Sequence, residues 1–161
     1  MDRLNMTTEW LTALFLAVMV LLIFIQIVSR LFFSVSFSWT EEVARYLMIW
    51  STFLGASFAF KYGAHIGVEV FVRKMPRIIK NIVQIIASLA SLAFFVILIS
   101  MGWEIIGLSM VQTSPALDIP MGYVYIIFPI SGVLMILNLI DVTIKSILHN
   151  ENDVTNEVPM D

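Results

Sequence analysis

Four long apolar runs set the pattern of this chain: Trp10 to Val28, Tyr46 to Phe60, Ile78 to Met101 and Tyr123 to Ile140. A helix that crosses a bilayer needs about 20 mostly apolar residues, and each run reaches or approaches that length once its flanks are included. The pattern therefore predicts an all-α integral membrane protein with four transmembrane helices. Residues 1–149 form the membrane domain, and the polar, acidic stretch 150–161 is expected to be a disordered tail.

The stretch from Phe37 to Pro76 organises the rest. Ser38-Trp39-Thr40-Glu41 has capping-box spacing, so a helix is expected to begin there with its first amides satisfied by Ser38 and Glu41. Arg45 follows Glu41 by four and Glu42 by three, which places these charges on one helix face near a membrane surface. With Arg30, which either snorkels outward or pairs with Glu41 or Glu42, they make a candidate outer-surface charge network. Ser51, Gly55, Ala59 and Gly63 recur every four residues, a small-residue stripe that lets another helix approach closely. Ala87, Ala90, Ser91 and Ala93 give the third helix a matching face. Ser51, Gly55, Ala59, Gly63, Ala87 and Ser91 are thus the expected packing or partner interface.

Gly63 is a plausible helix stop. The apolar residues Ile66, Val68, Val70 and Val72 beyond it alternate like a strand, but a lone strand at a membrane has no partner. An amphipathic segment in the interface is the expectation for this connection between helices 2 and 3. Lys61, His65, Glu69, Arg73, Lys74, Arg77 and Lys80 are its candidate anchor to lipid or a partner, and Pro76 suits the first turn of the third helix.

Composition sharpens this picture. A chain of 161 residues that is 60% hydrophobic, with mean hydropathy +0.94, has too little interior to hide that surface from water. The first run is too long for a signal-peptide core and has no small-residue cleavage site after it, so it is read as a retained span. Charge placement sets orientation. Arg3, Lys61, Arg73, Lys74, Arg77, Lys80 and Lys145 fall on one side of the four spans, and Arg30 and Arg45 on the other. The positive-inside rule then gives N-in, C-in, with the connection between helices 2 and 3 cytoplasmic.

The remaining polar residues are few. Gln26 suits an interhelical hydrogen bond or the headgroups, and Glu104 sits beside Trp103 near the outer interface. Pro115, Asp118 and Pro120 mark a turn-rich outer loop, and Pro129 removes a backbone bond from the fourth span. There is no cysteine, which excludes disulfides, thiol chemistry and iron–sulfur clusters. The histidines are His65 and His149, both in expected cytoplasmic segments, too few for a membrane haem bundle. His65 is read as a local hydrogen-bonding residue. No phosphate-cradling loop, catalytic triad, central acid or internal repeat is visible. No enzyme activity, cofactor or nucleic-acid partner is expected, and the one bound molecule envisaged is a structural phospholipid.

Trp39-Thr40-Glu41-Glu42-Val43-Ala44-Arg45-Tyr46, Gly55-Ala56 and Lys61-Tyr62-Gly63-Ala64-His65-Ile66-Gly67-Val68-Glu69 carry a resemblance to a known family. Ser114-Pro115-Ala116-Leu117-Asp118-Ile119-Pro120, Tyr125 and Pro129-Ile130-Ser131-Gly132 support it. The chain resembles the small membrane subunit, DctQ-like, of tripartite ATP-independent periplasmic (TRAP) transporters. Where that family often has aspartate, this chain has Glu69, which keeps the charge.

The resemblance implies a multi-pass subunit of the bacterial or archaeal cytoplasmic membrane. It implies two protein partners: a large multi-span subunit that moves substrate by an elevator motion, and a periplasmic substrate-binding protein. It further implies sodium-driven uptake of an organic anion such as a C4-dicarboxylate or sialic acid, with the small subunit as non-catalytic scaffold. The rival expectations are a self-contained homodimeric small transporter, which would need an essential acid within a span, and a membrane assembly factor.

Overall fold

A computed structural model describes the backbone of residues 2–33, 37–72 and 77–156, and the side chains of residues 3, 5–32, 37–61, 79 and 82–144. Four long helices, α1 (Asp2–Phe33), α2 (Ser38–Val72), α3 (Arg77–Ser109) and α5 (Ile127–Asn156), and the short α4 (Gly122–Tyr125) make up the fold. Each long helix contains a stretch long and apolar enough to cross a membrane: Asn5–Phe32, Ser38–Lys61, Ile82–Ser109 and, through α4 and α5, Gly122–Ile144. At 1.5 Å per residue the shortest spans about 35 Å, against a hydrocarbon core of about 30 Å. The chain is therefore an all-α membrane protein with four spans.

Packing places α2 and α5 at the centre, α1 against α2, and α3 against α5. The α1 contact face is written in its sequence: Asn5, Thr8, Thr12, Phe15, Met19, Leu22, Gln26 and Ser29 alternate at three- and four-residue intervals, and all are buried or half-buried. This is the 3.5-residue repeat of helices that wind along one another. Phe15 meets Trp50 edge-on, ring centroids 6.1 Å apart. Between α2 and α5, Phe53 and Phe128 pack at 4.7 Å. The Phe60 ring meets Phe95 at 5.0 Å beside Met135 and Leu139.

Missing side chains bring α3 and α5 together. A Cβ on Gly132 would lie 2.6 Å from Cγ1 of Ile99, and one on Gly102 would lie 2.9 Å from Cβ of Phe128. Pro129 explains why α4 and α5 are separate. Without an N–H, and with a ring that crowds the carbonyl four residues earlier, it interrupts the helix at Ile126.

Three local expectations are corrected. The helix does not stop at Gly63 but continues to Val72, so the amphipathic segment between spans 2 and 3 begins as an extension of α2. A glycine costs a helix only about 1 kcal/mol, too little by itself to end a helix of 35 residues. The helix α5 likewise runs to Asn156, past the expected start of a disordered tail at Asn150, because extending a helix is easier than nucleating one. The capping box is not formed. Thr40 closes the first turn of α2, its amide and hydroxyl both donating to the Phe37 carbonyl at 3.1 and 2.7 Å, while both Glu41 carboxylate oxygens bond elsewhere. Pro76 lies outside the described residues.

Candidate functional site

The chemistry of this protein lies in two sets of buried polar ties, one at each end of the bundle. At the α2 N-terminal end, the loop between α3 and α4 folds back on itself. Thr113 and Pro120 form an antiparallel bridge, and the Ser114 amide donates to the Ile119 carbonyl at 2.9 Å. The Met121 amide donates to the Gln112 carbonyl at 2.8 Å. Asp118 takes a left-handed backbone conformation (φ 53°), which short polar residues tolerate better than most. The Ser114 carbonyl accepts from the Asp118 amide at 3.2 Å, closing the knuckle.

Glu42 holds this knuckle to the bundle. Its side chain is buried, and Oε2 accepts the Ala116 amide at 2.7 Å. Oε1 accepts the Tyr46 hydroxyl, which also lies 3.2 Å from Sδ of Met121, and the Ser114 hydroxyl faces the same carboxylate. A buried carboxylate is stable only where hydrogen bonds replace water, and here the loop and one helical turn supply them.

One residue earlier, Glu41 does something different. It forms an exposed ion pair with Arg45 (3.3 Å, side chains 60% and 64% exposed) and accepts from Gln26 of α1 at 3.4 Å. The proposed charge network thus divides: Glu41 and Arg45 pair at the surface, Glu42 turns inward, and Arg30 is exposed and pairs with neither glutamate.

At the other end, Asn138 of α5 joins three helices. Its amide nitrogen donates to the Ser57 carbonyl of α2 at 2.7 Å, and its oxygen accepts from the Asn5 side chain of α1 at 2.9 Å. Asn138 is 2% exposed and Asn5 6%. Nearby hydroxyls satisfy themselves along their own helices: Ser57 donates to the Leu54 carbonyl at 2.7 Å, and Thr12 to the Thr8 carbonyl at 2.8 Å. Midway along α2, the Trp50 indole donates to the Val124 carbonyl at 3.1 Å, where the α4–α5 interruption leaves carbonyls available.

The small-residue stripe meets α1 at Gly55. A Cβ on Gly55 would sit 3.9 Å from Cγ2 of Thr12, and Ser51 is buried with no partner for its hydroxyl among the described residues. Ala59 is exposed, and Gly63 lies on helical backbone beyond the described side chains. On α3, Ala87 and Ser91 are half-buried whereas Ala90 and Ala93 are exposed. Of the candidate anchor, Lys61 is half-buried and interacts within the chain. The side chains of His65, Glu69, Arg73, Lys74, Arg77 and Lys80 lie outside the described residues.

Sequence reasoning assigned no contact to Asn5, Trp50, Ser57, Asn138 and Gly102, and met Tyr46 and Gly132 only within the family resemblance. One signal was available for Asn138, a carboxamide inside the fourth apolar run, which must find a partner in lipid. Among the described residues, no group of three His, Asp or Glu side chains is placed to hold a metal ion. The arrangement fixes helices and a loop in one geometry; its polar groups are engaged with one another.

Two of the segments that carried the family resemblance, residues 39–46 and 114–120, meet in the Glu42 tie, and comparison with known proteins agrees. Residues 19–149 match the family described as tripartite ATP-independent periplasmic transporters, DctQ component. A Haemophilus influenzae protein assigned as a TRAP transporter small permease protein is 34% identical over 144 residues, covering 89% of each chain. The C4-dicarboxylate TRAP transporter small permease protein DctQ of Vibrio cholerae is 32% identical over 96 residues, 60% of this chain and 41% of that one. The isethionate TRAP transporter permease protein DctMQ of Oleidesulfovibrio alaskensis is 32% identical over 104 residues, 63% of this chain but 16% of that much longer protein. The helices, the tied loop and the matching sequences lead to one conclusion: this chain belongs to the DctQ family, the small permease subunits of TRAP transporters.

Proposed function

We propose that this subunit is the stationary, non-catalytic scaffold of a sodium-driven, binding-protein-dependent transporter for an organic anion. It stands beside a large elevator-type subunit in the bacterial cytoplasmic membrane. The observation that carries the reading is the use made of polar side chains inside the bundle: Glu42, Asn5, Asn138 and Trp50 each spend a hydrogen bond joining one element of this chain to another, and Tyr46 braces Glu42 from within α2. An elevator requires one body to hold still while another slides, and a bundle tied at both ends meets that need.

Orientation follows from charge. Basic residues lie at Lys61 to Lys80 and at Lys145, with none from 81 to 144, which favours both termini inside and the Glu42 loop on the periplasmic side. The relatives' names cite C4-dicarboxylate and isethionate, and an organic anion is what these have in common. In the Oleidesulfovibrio protein the matching stretch belongs to a longer permease polypeptide, which supports a large membrane partner for this chain.

The test is co-purification of the tagged subunit from membranes that also express its transporter's large permease, followed by native mass spectrometry. A complex with one copy of each supports the reading. A homodimer without the large subunit favours a self-contained carrier and contradicts it.

A further inference from the structure

On α3, the face turned away from the bundle has the form of a helix seat. The inward row, Phe95, Gly102 and Ser109, is buried. Opposite it run Ala90, Ala93, Ile97, Ser100, Glu104 and Gly107, at alternating intervals of three and four residues, and every one of them is exposed. This row of mostly small side chains is the floor of a groove. Its walls repeat every seven residues, with Leu89, Val96 and Trp103 on one side and Phe94, Met101 and Leu108 on the other, each more than half exposed. A small-residue floor between two large ridges receives the side chains of another helix. The outward face of α1 differs, for it presents Leu14, Val20, Leu21, Phe24, Ile27 and Leu31, large side chains suited to acyl chains.

Two independent features indicate what fills the groove. Gly107 serves no packing need of its own chain, since a Cβ there would meet nothing within 4 Å. Glu104 has no ion pair or hydrogen bond among the described residues, and the sequence has no lysine or arginine from 81 to 144 to supply one locally. An acid on a lipid-facing groove calls for a partner group. A second copy of this chain, joined by the same face, would bring the same cation-free segment against Glu104, and like charges across an interface are unfavourable.

Resting on the scaffold reading above, we infer that the α3 groove from Ala90 to Gly107 seats a transmembrane helix of the large permease subunit. That helix places a cationic side chain opposite Glu104.

The experiment places a photo-reactive phenylalanine analogue at Ile97 or Ser100, and at Leu21 of α1 for comparison. The full-length tagged subunit is co-expressed with its large permease in bacterial membranes. Positions 97 and 100 should give an adduct with the mass of both subunits, and position 21 should not. Gly107→Leu and Glu104→Lys should each lower the co-purified large subunit about tenfold or more, with the helical circular dichroism of the purified small subunit unchanged. Gly107→Ala should leave the complex intact.

An intact complex that cross-links only from α1, an adduct with the mass of a small-subunit dimer, or variants that co-purify like wild type would each overturn the groove assignment alone. If the wild-type subunits form no complex, the scaffold reading fails and the groove assignment fails with it.

Discussion

Replacing Asn138 with leucine tests the three-helix tie directly. The substitution keeps roughly the same volume and removes both hydrogen bonds, to the Ser57 carbonyl and to Asn5. The two losses are unequal. Ser57 lies inside α2, where its carbonyl retains the helical bond, so losing a second donor there costs little. Asn5 keeps a buried carboxamide with its Asn138 partner gone, and an orphaned polar group of that kind costs about 1–3 kcal/mol. Interhelical hydrogen bonds in membranes average about 0.6 kcal/mol, with a maximum near 1.7. Together these give an expected loss of about 2–4 kcal/mol.

The double variant Asn5→Leu, Asn138→Leu leaves no orphaned amide, and should lose about 1–2 kcal/mol less than the sum of the two single variants. The assay is unfolding of the purified subunit by sodium dodecyl sulfate in mixed micelles, followed by circular dichroism and tryptophan fluorescence. A single variant within about 0.5 kcal/mol of wild type, the range of ordinary surface changes, would refute the tie. So would a double variant whose cost equals the sum.

The adjacent glutamates should behave differently. Glu42→Gln should speed amide hydrogen exchange from Thr113 to Met121 by about tenfold or more through local opening, whereas Glu41→Gln, which removes an exposed pair, should change it less than about twofold; equal effects would contradict the division between them. Gly132→Ala should destabilise by about 1–3 kcal/mol through overpacking against Ile99, and Ile99→Ala should restore part of the loss in the same micelle assay. Trp50→Phe keeps the ring against Phe15 and loses the bond to the Val124 carbonyl. It should cost about 0.5–1.5 kcal/mol, and a neutral result would show that the indole contact carries no energy.

The spans were legible because a membrane helix needs an unbroken apolar run and this chain has four. The ties were not. Glu42 and Ala116 are 74 residues apart, and Asn5 and Asn138 are separated by 133; no local rule links such positions. Spacing even favoured the wrong partner for Glu42, because Arg45 lies within reach of both glutamates. It pairs with Glu41, four residues away, while the residue four beyond Glu42 is Tyr46. Gly63 illustrates the reverse limit, for a residue that often ends helices lies in the middle of α2. The small-residue stripe was visible, but its contact with α1 at Gly55 depended on Thr12, whose place in a seven-residue repeat emerges only when polar and apolar residues are counted on the same face.

Reconstitution into sealed vesicles tests the central claim that this subunit supports transport without performing it. Uptake of the organic anion under an inward sodium gradient should require the small subunit, the large subunit and the binding protein together, and vesicles holding the small subunit alone should accumulate nothing above empty controls. Accumulation by the small subunit alone would contradict the account.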